Sequence, residues 1–306
     1  MPSSPPVKAW RDVGGSRHDG AMSTSSRWSV PPSVALSVEP GFRLADLDTR
    51  ATPGYDGKKA DGQADLEAGI APLSGLQERL FAQSVAGTAT GSVLLVLQAM
   101  DTAGKGGIVR HVVGAVDPQG VELASFKKPT AEELSHDFLW RIRKRLPDAG
   151  RIGVFDRSHY EDVLIGRVRR LAPADEIERR YGAIVGFEAE AADLGIRVVK
   201  VMLHISKDEQ RARLAERLER PDKHWKYNPS DVDERELWDD YMDAYQAAIE
   251  RTSTPLAPWH VIPADRKWYA RLAVQRLLID ALTDIDPRWP TADYDVEEEK
   301  RRLAAS

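Results

Sequence analysis

The chain has 306 residues, 42% of them hydrophobic and 30% charged, which suffices for a buried core without staples and excludes wholesale disorder. It has no cysteine, so disulfides, thiolate metal sites and cysteine nucleophiles are all excluded. With 43 basic against 48 acidic residues the formal charge is −5, so any anion binding must be local rather than a bulk attraction.

Residues 1–38 are crowded with serine and proline, carry no apolar period, and are expected to be disordered. They lack the apolar stretch of a secretory signal, and Arg11, Arg17 and Arg27 among serines fit a transit peptide only as a subordinate reading. Residues 92–98 (SVLLVLQ) form a continuous apolar run between Gly91 and a glycine-rich turn, the pattern of a strand buried on both faces. A helix over 108–116 and a short strand over 121–126 come next. Thr130 and Glu133 make a capping box that opens a helix to about 146, stopped by Pro147. A strand over 151–155, helical stretches from 160 to about 194, and a strand over 197–205 follow. Ser206 and Glu209 form a second capping box, opening a helix through 219. A broken stretch, 220–230, leads to a long helix from about 233 to 251, a last strand at 259–262 and a helix around 267–282. Residues 295–306 are a charged tail, expected to be solvated. No run approaches the roughly 18 apolar residues needed to span a bilayer. Strand–helix alternation predicts an α/β fold, a parallel sheet flanked by helices. It forms one domain over 39–294, with an inserted lid at about 213–232.

Ala99 to Gly107 (AMDTAGKGG) lies directly after an apolar strand and directly before a helix. A phosphate-gripping loop needs small residues so that backbone N–H groups can converge on oxygens, a lysine for the transferring phosphate, and a helix start behind it. Ala103, Gly104, Gly106 and Gly107 supply the small positions and Lys105 the cation. Ala99 stands where the usual motif has its first glycine, and Gly106 where a hydroxyl would hold Mg²⁺. The competing reading is a tight strand-to-helix turn with a surface lysine. With Gly106 unable to bind metal, Asp101 in the loop and Asp156 after the third strand are the candidate Mg²⁺ carboxylates. Asp156 also reads as a helix cap. Arg157 beside it reads either as a surface residue or as a clamp on phosphoryl oxygen.

Basic residues recur in three places. Lys127 and Lys128 follow a strand end, and Lys127 is a candidate phosphate ligand. Arg141, Arg143, Lys144 and Arg145 share a helix with an apolar face. Arg213, Arg217, Arg220, Lys223 and Lys226 run from a helix end into the broken stretch. Any one of these alone reads first as a solvated charge. Arg213, Arg217 and Arg220, however, fall at i, i+4, i+7 and share one side of a helix, as a cationic lid requires. His136, His159 and His224 lack metal-ligand spacing. Trp225, Trp238, Trp259 and Trp268 read as packing aromatics.

Together, MDTAGKGG, SFKKPTAEELSHDFLWRI, FDRSHYEDVLIGRV, LHISKDEQ, HWKYNPSDVDERELW and APWHVIPADRKWYARL resemble the second family of polyphosphate kinases, in colinear order from about residue 40 to 294. The DRSHYED string most resembles the class III branch, which phosphorylates nucleoside mono- and diphosphates. The resemblance implies a thymidylate-kinase-like P-loop fold, an inorganic polyphosphate donor and Mg²⁺. It puts Asp101 and Lys105 in the phosphate loop, Asp156 and Arg157 in the second motif, and Arg217, Lys223 and Lys226 in the lid.

The acceptor implied is a nucleotide's terminal phosphate, largely ionised near neutral pH because its second pKa is ~6. Such a nucleophile needs positioning and charge neutralisation more than a general base, in keeping with the dense Arg and Lys. The expected protein is a cytoplasmic homo-oligomer acting on polyphosphate and nucleotides, not on nucleic acid or membrane. An ATP-dependent nucleoside monophosphate kinase of the same fold and a non-catalytic polyanion-binding module are the alternatives.

Overall fold

The computed structural model describes residues 27–306, so the expectation for residues 1–26 lies outside the described residues. In chain order come α1 (Pro32–Ala35), α2 (Lys59–Ala68), α3 (Ile70–Val85), β1 (Ser92–Ala99), α4 (Lys105–His111), β2 (Val121–Ser125), α5 (Ala131–Leu134) and α6 (Trp140–Arg143). Then follow β3 (Ile152–Asp156), α7 (Ile165–Val168), α8 (Ala174–Asp193), β4 (Ile196–His204), α9 (Lys207–Glu219) and α10 (Ser230–Glu236). The chain closes with α11 (Trp238–Thr252), β5 (Trp259–Pro263), α12 (Lys267–Ile285) and α13 (Val296–Ala304).

The five strands form one sheet in the order β2-β3-β1-β4-β5, each neighbouring pair parallel. β1 is central and all its residues are buried, as its unbroken apolar sequence requires of a strand covered on both faces. Leu97 lies opposite Asp156 and Ala99 opposite Leu203, so β1, β3 and β4 end together at one edge. The chain goes from β1 to one side and later returns to the other. The loop after β1 therefore opens at the switch point, where α/β sheets leave a crevice. Leu73 and Leu80 of α3, Ile184 of α8, Ile249 of α11 and Val274 and Leu282 of α12 are fully buried in the one hydrophobic core. Each such side chain contributes roughly 1.5–3 kcal/mol of burial.

Several expectations give way to local detail. Residues 27–38 are packed rather than disordered: Trp28 bridges Tyr55, Leu36 is buried, and Ser37 bridges His260. The helix expected over 108–116 starts at Lys105 and ends at His111, with a 3₁₀ turn at Val113–Ala115. The Thr130–Glu133 box forms as expected, but its helix breaks after Leu134. There the Ser135 hydroxyl bonds the Glu132 carbonyl, and the Asp137 carboxylate takes the Leu139 N–H; both side chains compete with the helix ladder. The run from 160 breaks at Arg170, where φ is +52°, before Pro173 opens α8. Helices α2 and α3 have no counterpart in the sequence reading. The charged tail is exposed but helical, capped by Asp295 and laced with pairs such as Glu297–Lys300.

Candidate active site

A cavity of about 620 Å³ opens over the loop between β1 and α4. The loop is kinked by two left-handed residues, Thr102 (φ 67°) and Gly104 (φ 123°), and Gly104 caps α4 with no side chain to bond the helix start. Among the described residues the N–H groups of Gly104, Lys105 and Gly106 have no acceptor within the protein, so they remain available to an anion. Lys105 Nζ donates to the Ala99 carbonyl at 2.8 Å. The residue in the first-glycine place thus holds the lysine through its backbone. Burial pushes the Lys105 ammonium below its usual pKa, and Asp101 beside it opposes that shift.

Asp156 ends β3, and the 3₁₀ turn after it is capped by Ser158, whose hydroxyl accepts from the Tyr160 N–H at 3.2 Å. Asp156 is therefore not the cap, and its carboxylate lines the cavity with Asp101. Arg157 is left-handed (φ 65°), its N–H held by the Leu97 carbonyl at 3.1 Å. Its guanidinium stands 3.0 Å from Asp101 Oδ1 and 3.8 Å from Glu161 Oε2. Burial pushes the Glu161 carboxyl up, while Arg157 and Lys105 pull it down. With the Gln98 amide turned to satisfy both its ends, Gln98 donates to Glu161 Oε1 at 2.9 Å.

Among the described residues no group of three or more ligating side chains could cage a metal. Two carboxylates facing an open cavity suit Mg²⁺, which keeps waters and takes most of its oxygens from substrate phosphates.

Arg217, Lys223 and Lys226 line the same cavity as the loop. Arg217 Nη1 reaches Asp231 Oδ2 at 3.4 Å and the Lys226 carbonyl at 3.1 Å. Burial and the nearby Asp101 raise the Asp231 carboxyl. Lys226 Nζ lies 4.8 Å from the Trp225 ring centroid, and Trp225 is 79% exposed, unlike the buried Trp238, Trp259 and Trp268. Arg213 is buried and also lines the cavity.

A model of the family described as Polyphosphate kinase 2 matches residues 57–290. The chain belongs to the polyphosphate kinase 2 family. It is 46% identical over 253 residues to the AMP/ADP-polyphosphate phosphotransferase of Meiothermus ruber, covering 81% of this chain and 91% of that one. It is 42% identical over 259 residues to the ADP-polyphosphate phosphotransferase of Rhodopseudomonas palustris, covering 81% and 88%. The crystal structure of polyphosphate kinase 2 from Arthrobacter aurescens TC1 superposes with a TM-score of 0.89 at 59% identity, over 91% of this chain and 98% of that one. The fold is thus that of the P-loop kinases, as the sheet order and the loop after β1 indicate. Among the described residues no helix is long and apolar enough to cross a membrane.

In this polyphosphate kinase 2 chain Asp101, Ala103, Gly104, Lys105, Gly106, Gly107, Asp156, Arg157, Arg217, Lys223 and Lys226 all line one cavity. Lys127 does not: its side chain is exposed and its carbonyl accepts from Arg141 Nη1 at 2.9 Å. Arg141 itself is buried between Glu133 and Asp162 rather than solvated. The sequence reading missed Arg110, His111, Lys267 and Arg271, which also line the cavity. A Cβ on Gly107 would sit 3.5 Å from Arg271 Nη2, so the loop and α12 meet there. The i, i+4 spacing of Lys267 and Arg271 was the available signal.

Proposed function

We propose that the protein transfers a phosphoryl group between inorganic polyphosphate and a nucleoside mono- or diphosphate, reversibly, with Mg²⁺. The observation that carries this is the single cavity joining a phosphate loop, two strand-end carboxylates and a wall of lysine and arginine. The names of the relatives, AMP/ADP- and ADP-polyphosphate phosphotransferase, support the donor and acceptor classes.

Chemically, a terminal P–O–P bond of the donor breaks and a P–O bond to the acceptor phosphate forms. The donor leaves one phosphate shorter, as an anion. The free N–H groups of Gly104 to Gly106 and Lys105 would grip the transferring phosphoryl group, the lysine exchanging the Ala99 carbonyl for phosphate oxygen. Arg157, steadied by Asp101 and Glu161, would hold the equatorial oxygens. Asp101 and Asp156 would hold Mg²⁺, whose charge offsets that of the phosphates. Within the expected lid, about 213–232, Arg213 is tied to the phosphate loop, so the residues beyond it would move, closing Lys223 and Lys226 over the chain and excluding water. The proposed setting is the cytoplasm.

The test is to incubate purified protein with polyphosphate, Mg²⁺ and AMP, ADP, GMP or GDP, and to resolve the products. Nucleoside di- and triphosphates formed only with polyphosphate support the reading. ATP serving as donor to AMP without polyphosphate would favour a nucleoside monophosphate kinase. Salt-sensitive binding with no turnover and no Mg²⁺ requirement would leave a polyanion-binding module.

A further inference from the structure

We infer that Arg213 is a positioning residue that sets the phosphate loop's peptide planes. The inference rests on the proposed reading of the cavity. Arg213 is 5% exposed and its guanidinium is fully engaged. Nη1 donates to the carbonyls of Thr102 and Ala103, at 3.0 Å each. Nη2 donates to the carbonyls of Ala264 at 2.7 Å and Asp265 at 3.1 Å. Nε donates to Glu209 Oε1 at 2.7 Å, which answers its charge. Arginine alone among side chains can fill such a fork of acceptors, because its donors are planar and fixed.

The consequence follows from peptide geometry. The described residues contain no cis peptide, and in a trans peptide the carbonyl and the following N–H point in opposite directions. Gripping the carbonyls of Thr102 and Ala103 therefore turns the N–H groups of Ala103 and Gly104 away from Arg213. The Ala103 N–H is taken by the Met100 carbonyl at 3.3 Å, whereas the Gly104 N–H has no acceptor and belongs to a residue lining the cavity. The same fork holds Thr102 left-handed at φ 67°, a conformation a β-branched residue keeps only when its surroundings impose it.

Its other two carbonyls lie where β5 leads into α12, just before Lys267 and Arg271. The Asp265 carboxylate there accepts from the Ser206 N–H at 2.9 Å and hydroxyl at 3.1 Å, and Ser206 caps α9. One buried cation thus ties the loop, the start of α9 and the start of α12 together. Arg217, one turn further along α9, lines the same cavity as Arg213 but is more exposed, at 24% against 5%.

The test compares wild type with Arg213→Lys and Arg213→Ala. Initial rates are taken against polyphosphate concentration, binding of inorganic tripolyphosphate with Mg²⁺ by calorimetry, and melting by circular dichroism. Arg213→Lys keeps the charge but loses the fork. It is expected to melt within a few degrees of wild type, to bind tripolyphosphate more weakly, and to lose roughly tenfold to a hundredfold in kcat, the scale on which outer partners of a site act. For folded Arg213→Ala, guanidinium chloride should restore much of the lost rate, and equal sodium chloride or urea should not. Wild-type kcat and tripolyphosphate affinity in Arg213→Lys would overturn the inference. So would loss of folding in both variants, which would make Arg213 a general stabiliser. If wild type fails to use polyphosphate, the functional reading falls, while tripolyphosphate binding across the three proteins still decides the role of Arg213.

Discussion

Arg157 Nη2 stands 3.0 Å from Asp101 Oδ1, so the cation that follows β3 is held by a carboxylate of the loop that follows β1. The two motifs, 56 residues apart, are joined by one ion pair between residues that line the cavity. Among the described residues Asp156 makes no such ion pair, although it lines the same space.

That difference separates two otherwise similar substitutions. Asp156→Asn should leave the fold intact and lower turnover roughly 10²-fold or more, the scale of losing a principal electrostatic element of a site. Asp101→Asn should do the same and also loosen Arg157, raising the apparent KM for nucleotide or polyphosphate. Steady-state kinetics at several Mg²⁺ concentrations would check both. Near-normal turnover of Asp156→Asn at limiting Mg²⁺ would remove it from the metal site.

Lys223 and Lys226 line the cavity from an exposed segment, so neutralising them should change stability by less than ~0.5 kcal/mol. The double variant Lys223→Ala, Lys226→Ala should raise the KM for polyphosphate and lower the maximal rate, because contacts made on closure stabilise the transition state selectively. Its rate should also fall less steeply with salt than that of wild type. Initial rates at two ionic strengths decide the matter; matching curves for the two proteins would make these lysines ordinary surface charges.

Two buried histidines predict an acid sensitivity. Burial lowers His204 to about 4, despite Asp265 nearby, and His260 to about 4, despite its bond to the Lys200 carbonyl. Between pH 6.5 and 4 the unfolded chain binds protons that the folded chain refuses, so each histidine reduces stability as pH falls. The slope is at most about 1.4 kcal/mol per pH unit each. The carboxyls of Glu161 and Asp162, raised by burial, act in the opposite sense. Comparing wild type with His260→Gln cancels those carboxyls. Urea unfolding at pH 7, 6 and 5 should show wild type losing ground to the variant, and parallel pH curves would contradict the account.

Deleting residues 2–38 should destabilise the protein relative to deleting 2–26. The longer deletion removes buried Leu36 and the backbone bonds Val38 N–H to Trp259 carbonyl and Val261 N–H to Leu36 carbonyl, both 3.0 Å. A loss of about 2 kcal/mol is expected, or roughly 4–8 °C in melting. Equal melting of the two truncated proteins would show that the segment merely rests on the sheet.

The sheet and its loop were legible because their signals are local. An apolar run followed at once by small residues and a lysine can be read without knowing what lies around it. The arginines of α9 were not legible in that way. Arg213 and Arg217 lie one turn apart on α9 and Arg220, expected on the same side, is the extended residue that caps it; their side-chain exposures climb from 5% to 24% to 46%. Spacing reports the face of a helix, not its depth. Helices α2 and α3 escaped notice for a related reason. Glycine is a poor helix former, but Gly62 sits in α2 where a Cβ would meet the Trp268 ring, and Gly69 joins α2 to α3 where one would displace the Gln275 amide. Trp225 carries the same residue type as three buried tryptophans and only its surroundings set it apart.

The antiparallel bridge from Ser37 to His260 has a practical corollary for anyone producing the protein. The β5 margin of the sheet is closed by the chain's own leading segment, so an affinity tag joined directly at Arg27 would tug on that closure and risk exposing a sticky strand. Helix α13, by contrast, has no buried residue. Handles, fluorophores and surface tethers are better placed on α13.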